Sequence, residues 1–476
     1  MATGNAAGAP RKRQLIEEHS YDYVPLAERH GDPRSLFFVW FGASAHVLTA
    51  VTGTLAIGLG LNFWWALVAI LLGNLMGALF MAFHSAQGPR LGLPQVIQSR
   101  GQFGYQGALL ILLVVWAMYI GYTAFDILLS GQGFQGVIGG NLNLWLILMA
   151  ALLAVLAIFG YDWIHRFMAY QTWFYVAVFV VVTIALIAHG VPVAALNHGG
   201  FDPGHFLLAV SYFAVWQISY APYVSDYSRY LSPNTASRTF WGTYLGTCTV
   251  SIALMVLGAA IAALAPAVAT LDEIKALGGS VLGPILVLIL AFGLIPPSAM
   301  NIYGGALATL TIANNVRRFT STAALRVLAC LFVAVVSLGV ATVGSGNFMT
   351  SFENYLSALL YFLIPWTAIN LTDFYLIRGG VYRTEDFFEP NGAFGRFNWR
   401  GLLVYFVTFA IEIPFMNTTV FQGPLSKALG GADLAWLVGL AISIPFYYLL
   451  ARRPGQPAPR LEELTSQLEP TGTSKG

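Results

Sequence analysis

Residues 42–53 read GASAHVLTAVTG, at the centre of an apolar run that extends from 36 to 61. A run of this length can cross a membrane as a helix, but its middle is made of small and polar residues. Irregular backbone at membrane depth is tolerated only where it lines a cavity or is buried in protein. The stretch therefore predicts a membrane-spanning helix that breaks near its centre.

A second stretch with the same character is residues 216–223, which read WQISYAPY inside the apolar run 205–224. Pro222 lacks a backbone donor and disfavours helical conformation at Ala221. The two runs are the first and sixth of the chain, so inverted halves of five spans each would bring both breaks to one site. Close packing through small residues explains either run alone equally well. The pair at matching positions favours a solute cavity.

The composition identifies the solvent of the chain. Of 476 residues, 57% are hydrophobic and 9% are charged, whereas soluble domains carry about 25% charged residues. The net charge of +2 provides no electrostatic footprint for nucleic acid. Cys248 and Cys330 lie in apolar runs at a spacing that fits no metal or redox motif. We therefore expect an all-α integral membrane protein whose partner is the lipid bilayer, with no bound metal.

Twelve apolar runs are long enough to be spans. They cover 36–61, 63–85, 105–130, 142–161, 170–190, 205–224, 240–265, 280–303, 324–344, 352–373, 400–419 and 433–451.

The basic residues predict the orientation of these spans. With both termini on one side, all 23 Lys and Arg residues except Lys275 and Lys427 fall on that side. Cytoplasmic loops carry the excess of Lys and Arg. We therefore expect a multi-pass protein of the inner (plasma) membrane with cytoplasmic tails at 1–35 and 452–476, and no cleavable signal peptide.

Two further spans carry residues suited to a ring-shaped ligand. Residues 295–303 read IPPSAMNIY, which predicts an interrupted helix with Asn301 close to the interruption. A carboxamide both donates and accepts, so Asn301 suits the edge of an amide-like ring, or else a helix–helix hydrogen bond. Trp116 lies in the middle of the third run, where its indole is either a flat platform for a planar ligand or a packing residue.

Several motifs together resemble the nucleobase–cation symport-1 family, of the purine-cytosine permease type. The motifs are IEEHSYDYVP (16–25), AFHSAQGP (82–89), QSRGQFG (98–104), GYDWIHR (160–166), APYVSDYSRYL (221–231) and DFYLIR (373–378). The resemblance implies the leucine-transporter fold, with alternating access driven by an ion gradient. Two inverted five-helix repeats would cover 36–190 and 205–373, and two trailing helices would lie within 400–451.

The resemblance also implies a substrate site. Trp116 would stack on one face of a planar ligand, and Trp216 or Tyr220 would cover the other face. Asn301 would bind the ring edge. From the residues themselves, we expect Gln217, Ser44 and His46 to contact the remaining edges.

Departures from the family pattern bear on specificity and coupling. Many relatives carry amides where this chain has Ser44, His46 and Ile120, which puts cytosine specificity in doubt. Residues 292–297 read FGLIPP and offer no hydroxyl before Ser298, which favours a proton over sodium as coupling ion. The predicted cation-coupling residues are His46, Thr49 and Ser298. His46 is included because histidine titrates near neutral pH.

Ionisable residues at or near the membrane suggest further roles. Arg100, Asp226, Arg229 and Asp373 are predicted to form ion pairs that close an inner gate, with helix-end anchoring as the simpler alternative. Asp126 and Glu412 are acids inside predicted spans, and we expect a structural role for Glu412.

The function predicted from the sequence is secondary active import of a nucleobase or related planar nitrogenous compound, such as cytosine or a purine, with protons. The alternative is sodium-coupled transport of allantoin or a hydantoin, uracil or thiamine. A channel would need a continuous polar lining, and a membrane enzyme would need convergent catalytic groups. The sequence predicts no catalytic residue, no cofactor beyond the coupling ion H⁺ or Na⁺, and identifies no protein partner.

Overall fold

A computed structural model describes residues 22–159, 161–266, 268–316, 319 and 322–452. Outside this part lie residues 16–21 of the first motif, Gly160, Arg317, Arg318 and the tail from 453. The side chains of 159–171 are also outside it. The described residues form helices and two isolated β-bridges, with no strand among them. The α-helices are α1 (Ser35–Ser44), α2 (Val47–Gly58), α3 (Phe63–Ser85), α4 (Gln87–Leu91), α5 (Gln95–Gln98), α6 (Arg100–Phe103), α7 (Leu109–Ile138), α8 (Leu142–Phe159), α9 (Tyr161–His189), α10 (Val193–Leu196), α11 (Pro203–Ile218), α12 (Val224–Ser228), α13 (Ala236–Leu264), α14 (Thr270–Leu277), α15 (Gly279–Phe292), α16 (Ile295–Val316), α17 (Ala323–Gly344), α18 (Phe348–Leu371), α19 (Trp399–Glu412), α20 (Pro424–Ala428) and α21 (Ala435–Ala451).

The helices have the length and composition of membrane spans. Seven spans in the described part pass on both criteria, with α15 and α16 counted together, and α1–α2 adds an eighth if the pair is one span. Helices α8 and α21 are apolar but shorter. Every one of the twelve predicted runs contains a helix.

Four predicted boundaries are wrong. Helix α7 continues to Ile138, past the expected end at 130, and α9 begins at Tyr161, before the expected start at 170. The other two have a local cause. The eighth run continues as α16 to Val316, past the expected end at 303, because its polar residues return their hydrogen bonds to the helix. Thr309 and Thr311 donate to the carbonyls of Gly305 and Leu307, four residues earlier. The eleventh run stops as α-helix at Glu412, before the expected end at 419, and Pro414 follows in a 3-10 turn.

The helices pack in two groups. Helix α3 lies against α11 and α13, and α2 against α13, whereas α7 packs on α8, α16 and α17. Two glycines allow the closest approach: a Cβ at Gly53 would lie 2.0 Å from the Met255 carbonyl oxygen, and one at Gly258 would lie 1.8 Å from that of Ala50. The backbones of α2 and α13 therefore cross with no room for a side chain at either position.

Three helix interruptions occur where the sequence predicts them. The axis bends by 62° between α1 and α2, and His46 between them is extended (φ −143°, ψ 166°). The Ser44 carbonyl left over by this break accepts from the Thr49 hydroxyl at 2.6 Å. Helix α11 gives way to a 3-10 turn at Ala221–Tyr223, and α15 to α16 at residues 293–294.

Candidate functional site

A cavity of about 590 Å³ lies between the three interruptions, within the usual size range of ligand pockets. Its open end is lined by Phe38 and Trp173, whose side chains are 57% and 63% exposed. Its deep end is lined by Trp216 and Asp126, which are 1% and 4% exposed. The cavity therefore runs from the surface along α1 to the middle of the protein.

Aromatic rings form the deep wall. The Trp216 ring lies 5.8 Å from the His46 ring and 5.9 Å, edge to face, from the Tyr122 ring. Tyr220 lines the same space, and its hydroxyl lies 3.4 Å from the Ser44 hydroxyl, which donates to it. This contact joins the first interruption to the second.

The wall also offers polar atoms without partners. His46 Nδ1, Trp216 Nε1 and Asp126 Oδ1 are buried and form no hydrogen bond with described residues. The partly buried Asn301 lies on the same wall. Buried polar groups are nearly always paired, so this concentration of unpaired atoms indicates a place where a polar ligand completes the bonding.

These residues lie in a chain with clear relatives. Residues 23–439 match the family of permeases for cytosine/purines, uracil, thiamine and allantoin. The chain belongs to this permease family. It is 40% identical over 445 residues to YxlA of Bacillus subtilis, named as a candidate purine-cytosine permease, with 92% of this chain and 96% of that one covered. It is 25% identical over 476 residues to the purine-cytosine permease fcyB of Emericella nidulans, with 92% and 88% covered.

Solved structures agree on the fold of the permease. Mhp1, a nucleobase-cation-symport-1 family transporter in a closed conformation with bromovinylhydantoin bound, superposes with a TM-score of 0.74 at 21% identity, covering 92% of this chain and 95% of that one. The inward-facing conformation of Mhp1 gives a TM-score of 0.73 at 21% identity, covering 92% and 94%. The predicted family is confirmed, and the permease is a membrane transporter of the Mhp1 fold rather than an enzyme.

Three residues predicted for the substrate site do not line the cavity: Trp116, Gln217 and Ser44, the last of which contacts the lining residue Tyr220. Trp116 donates from Nε1 to the Thr309 hydroxyl on α16 at 2.8 Å, and its ring stacks on Phe332 of α17. Tyr122 lines the cavity instead, because six residues are about 1.7 turns of helix and bring it to a different face of α7. A signal for this choice was present in the sequence: Asp126, four residues after Tyr122, lies on the same face of α7 and lines the same cavity.

Gln217 is the second of these residues. Its Nε2 donates to the Asn74 carbonyl oxygen at 2.7 Å, and its Oε1 accepts from the Thr247 hydroxyl at 2.6 Å. The carboxamide thus connects α11 to α3 and α13 and does not line the cavity. The adjacent Trp216 does, because neighbouring helix positions face different directions.

The predicted coupling residues are placed around the interruptions. His46 lines the cavity, whereas the Thr49 hydroxyl is held by the Ser44 carbonyl. The Ser298 hydroxyl lies against Asp126 Oδ2 on α7, at 2.6 Å. Asp126 was assigned no role from the sequence, although an acid inside a span was the signal that could have given it one.

The predicted gate residues lie at one end of the molecule, and two of them have partners outside the predicted set. Asp373 forms an ion pair with Arg378 (Oδ2 to Nε, 3.1 Å), whereas Arg100 donates to the Phe387 carbonyl at 2.9 Å. The role of the four residues as an inner gate stays a prediction. Burial lowers the pKa of Arg100. Burial is also the largest single influence on Arg378, but Asp373, Tyr382 and Tyr447 together outweigh it and raise the Arg378 pKa.

The other two gate residues contact the chain near the same loop. Asp226 Oδ1 accepts from the Gln95 backbone N–H at 3.0 Å. The buried Arg229 donates to the Asp22 carbonyl at 3.2 Å and to the Tyr230 hydroxyl at 3.2 Å.

A continuous set of side-chain hydrogen bonds connects these elements. We call it the loop network; in order its members are Ser225, Gln95, Gln87, Asn370, Gln102 and Asp373. It links α12, the α4–α6 segment and α18, and its members are buried.

Proposed function

We propose that the permease is a symporter that imports a nucleobase or related planar nitrogenous compound, such as cytosine or a purine, with protons. In this proposal the chain crosses the plasma membrane twelve times. Two inverted repeats (36–190 and 205–373) precede two trailing helices within 400–451, and the tails at 1–35 and 452–476 are cytoplasmic. The distribution of Lys and Arg supports the orientation, and a helix in every predicted run supports the count.

The observation that carries the substrate assignment is the aromatic wall with its unpaired polar atoms. A planar ring stacks on the flat face of Trp216, where base–aromatic stacking contributes about 1–3 kcal/mol per base. The ring edges then pair with His46 Nδ1 and Asn301. Tyr220 and Tyr122 enclose the ring, and Ser44 acts indirectly by holding Tyr220 through their hydroxyl contact.

Sodium-coupled transport of allantoin or a hydantoin, uracil or thiamine is the second candidate. The bromovinylhydantoin bound to the solved relative favours it for this fold. The proton is preferred because α16 begins with Ile295, Pro296 and Pro297, none of which supplies a side-chain oxygen. His46 and Ser298 are then the coupling residues among those predicted.

The loop network and the pair Asp373–Arg378 support a role for this end of the molecule as the inner gate. With the orientation proposed above, it is the cytoplasmic end. Asp226 lies in α12 and Arg229 follows it directly, whereas Arg100 begins α6 and Asp373 follows α18. Opening this gate requires bonds between α12 and the α4–α6 segment to separate.

Uptake of radiolabelled cytosine, hypoxanthine, uracil, allantoin and thiamine into cells that express the permease tests the proposal. Each compound is measured with sodium present or replaced and with or without a protonophore. We expect saturable uptake of a ring compound that the protonophore abolishes and sodium replacement does not. Uptake that requires sodium would replace the proton by sodium, and a correctly inserted protein that moves none of the five would refute the nucleobase assignment.

Two tryptophan variants sharpen the same experiment. Trp216→Leu removes the proposed stacking face, so we expect a rise of about five- to 150-fold in the concentration for half-maximal uptake. Trp116→Leu changes an indole outside the cavity and should leave this concentration within about twofold of wild type. In the proposal only Trp216 stacks on the ligand, so Trp116→Leu loses no stacking interaction of about 1–3 kcal/mol. The reverse result would restore Trp116 as the platform.

A further inference from the structure

The carboxyl group of Asp126 is buried on the deep wall of the cavity without a cationic partner. It is 4% exposed, and the described residues that line the cavity include no Lys or Arg. The titratable groups that face it are Tyr122 on α7, Tyr220 beside α11, Tyr355 on α18 and His46 across the cavity. An isolated carboxylate is strongly disfavoured in such surroundings.

The hydrogen-bond geometry around Ser298 identifies where a proton lies. Ser298 Oγ is 2.6 Å from Asp126 Oδ2 and also 2.6 Å from the Leu294 carbonyl oxygen. A hydroxyl has one hydrogen, and a carbonyl oxygen only accepts. Both contacts are hydrogen bonds if Ser298 donates to Leu294 and a protonated Asp126 donates to Ser298.

The other carboxyl oxygen points to the same state. Asp126 Oδ1 is buried and has no partner among the described residues. An ionised carboxylate would leave a charged acceptor unpaired here, which is more costly than an unpaired neutral carbonyl oxygen.

The carboxyl group also lies at a movable part of the fold. Leu294 belongs to the interruption between α15 and α16, so Ser298 connects Asp126 to that interruption. Asp126 shares the cavity wall with Trp216 and Asn301. A change at the interruption or a ligand in the cavity therefore reaches Asp126 directly.

We propose that Asp126, with Ser298 as its hydrogen-bond partner, carries the coupling proton of the permease. The inference rests on the proton coupling proposed above and assigns the proton to Asp126 rather than His46. On release, the O–H bond of the carboxyl group breaks, the proton passes to water in the open cavity, and the bonding electrons stay on the carboxylate. The Ser298 hydroxyl then turns from Leu294 to donate to the carboxylate, and reprotonation on the opposite side reverses both steps.

Infrared spectroscopy of the purified permease in liposomes tests the protonation without any substrate. We expect the carbonyl stretch of a protonated carboxyl group near neutral pH, reduced in Asp126→Asn and unchanged in the control Asp272→Asn, which alters an exposed acid on α14. The difference between wild type and Asp126→Asn isolates this group from other buried acids such as Glu412. A wild-type spectrum with no contribution from Asp126 would overturn the proposal, whatever the permease transports.

Transport in proteoliposomes tests the coupling. The probe is radiolabelled cytosine or the member of the five-compound panel that wild type takes up. At one proton per substrate, wild type should accumulate the probe about tenfold for each unit of imposed pH gradient. Asp126→Asn preserves the shape, the Oδ1 acceptor on the cavity wall and a donor to Ser298, and it removes the titratable proton, so exchange of the probe between the two sides should fall far less than accumulation. The variant should not accumulate the probe above equilibrium or move protons when the probe is added, whereas Asp126→Glu should retain both.

The outcomes separate the two proposals. Accumulation driven by protons that persists in Asp126→Asn would overturn the role of Asp126 and leave the proton symport intact. Accumulation by wild type that follows sodium alone would overturn both. Loss of exchange as well as accumulation in Asp126→Asn would show that the residue serves binding or structure and would also overturn its coupling role.

Discussion

The cavity wall and the loop network are both buried and polar, but they satisfy their hydrogen-bonding groups differently. In the loop network, each amide is used in both directions: Gln102, for example, donates to Asp373 and accepts from Asn370. At the cavity, His46 Nδ1, Trp216 Nε1 and Asp126 Oδ1 have no partner among the described residues. A fully paired network rigidifies its surroundings, whereas unpaired groups are costly until something binds them.

We propose that this difference separates residues that hold the permease together from residues that bind the substrate. Residue type does not separate them, because carboxamides and carboxylates occur in both regions. The hydrogen-bond partners of each side chain separate the two groups of residues. If this is correct, substitutions in the loop network should reduce stability, and substitutions at the cavity should reduce substrate affinity or coupling.

The largest effect is expected for Asp373→Ala. Asp373 accepts from Gln102 at 2.9 Å and Tyr382 at 2.7 Å and forms the ion pair with Arg378. Removing one partner of a buried ion pair costs about 3–5 kcal/mol, and we expect the lower end because Arg378 is partly exposed. Thermal unfolding of the detergent-solubilised protein should show a marked fall in melting temperature.

The control for this variant is Glu385→Gln, which removes an exposed charge from the neighbouring 3-10 turn. It should unfold at the wild-type temperature, because exposed charges contribute about 0–1 kcal/mol. Equal melting temperatures for Asp373→Ala and Glu385→Gln would show that the loop network does not carry the stability assigned to it.

Most of the fold could be predicted from the sequence because it depends on long-range averages. Run length, the sorting of Lys and Arg, and the small or proline-containing centres of three runs do not depend on which way a single side chain faces. The breaks near His46, Tyr220 and Leu294 were all anticipated in this way. Of the wrong boundaries, the ends of the eighth and eleventh runs lie where polar helix residues or a proline alter the end of a run.

The site was less predictable because it depends on helix rotation. Trp116 and Tyr122 are both aromatic residues on α7, and only the rotation of that helix places Tyr122 at the cavity. Trp216 and Gln217 are adjacent, yet Trp216 faces the cavity and Gln217 faces the neighbouring helices α3 and α13. An apolar helix in a membrane bundle has little polar surface that would fix its rotation from the sequence, and on α7 Asp126 was such a signal.

An intermediate effect is expected for Gln217→Ala. This variant leaves Asn74 and Thr247 without their carboxamide partner between α3, α11 and α13. Each buried group left unpaired costs about 1–3 kcal/mol. Asp373→Ala leaves Gln102 and Tyr382 unpaired and also breaks the ion pair with Arg378, so the melting temperature should fall by less in Gln217→Ala. Substrate affinity of the folded fraction, measured by scintillation proximity binding, should stay within about threefold of wild type, because no bond to the ligand is lost. A larger loss of affinity at unchanged stability would return Gln217 to the substrate site.

The smallest effect on stability is expected for Asn301→Ala. In contrast to Gln217→Ala, this variant should lower substrate affinity and leave stability unchanged. Asn301 is partly buried and lines the cavity, so its removal should leave the melting temperature close to that of wild type. One hydrogen bond to a ligand contributes about 0.5–1.5 kcal/mol, which corresponds to a roughly two- to twelvefold weaker binding. Gln217→Ala should then affect stability and Asn301→Ala should affect affinity. Both quantities are measured on the same preparations. If Asn301→Ala lowers the melting temperature as much as Gln217→Ala does and leaves affinity unchanged, Asn301 is a helix-packing residue. The distinction between the cavity wall and the loop network would then fail on the α16 side of the cavity, while the α11 side, with Trp216, would still be tested by its own variant.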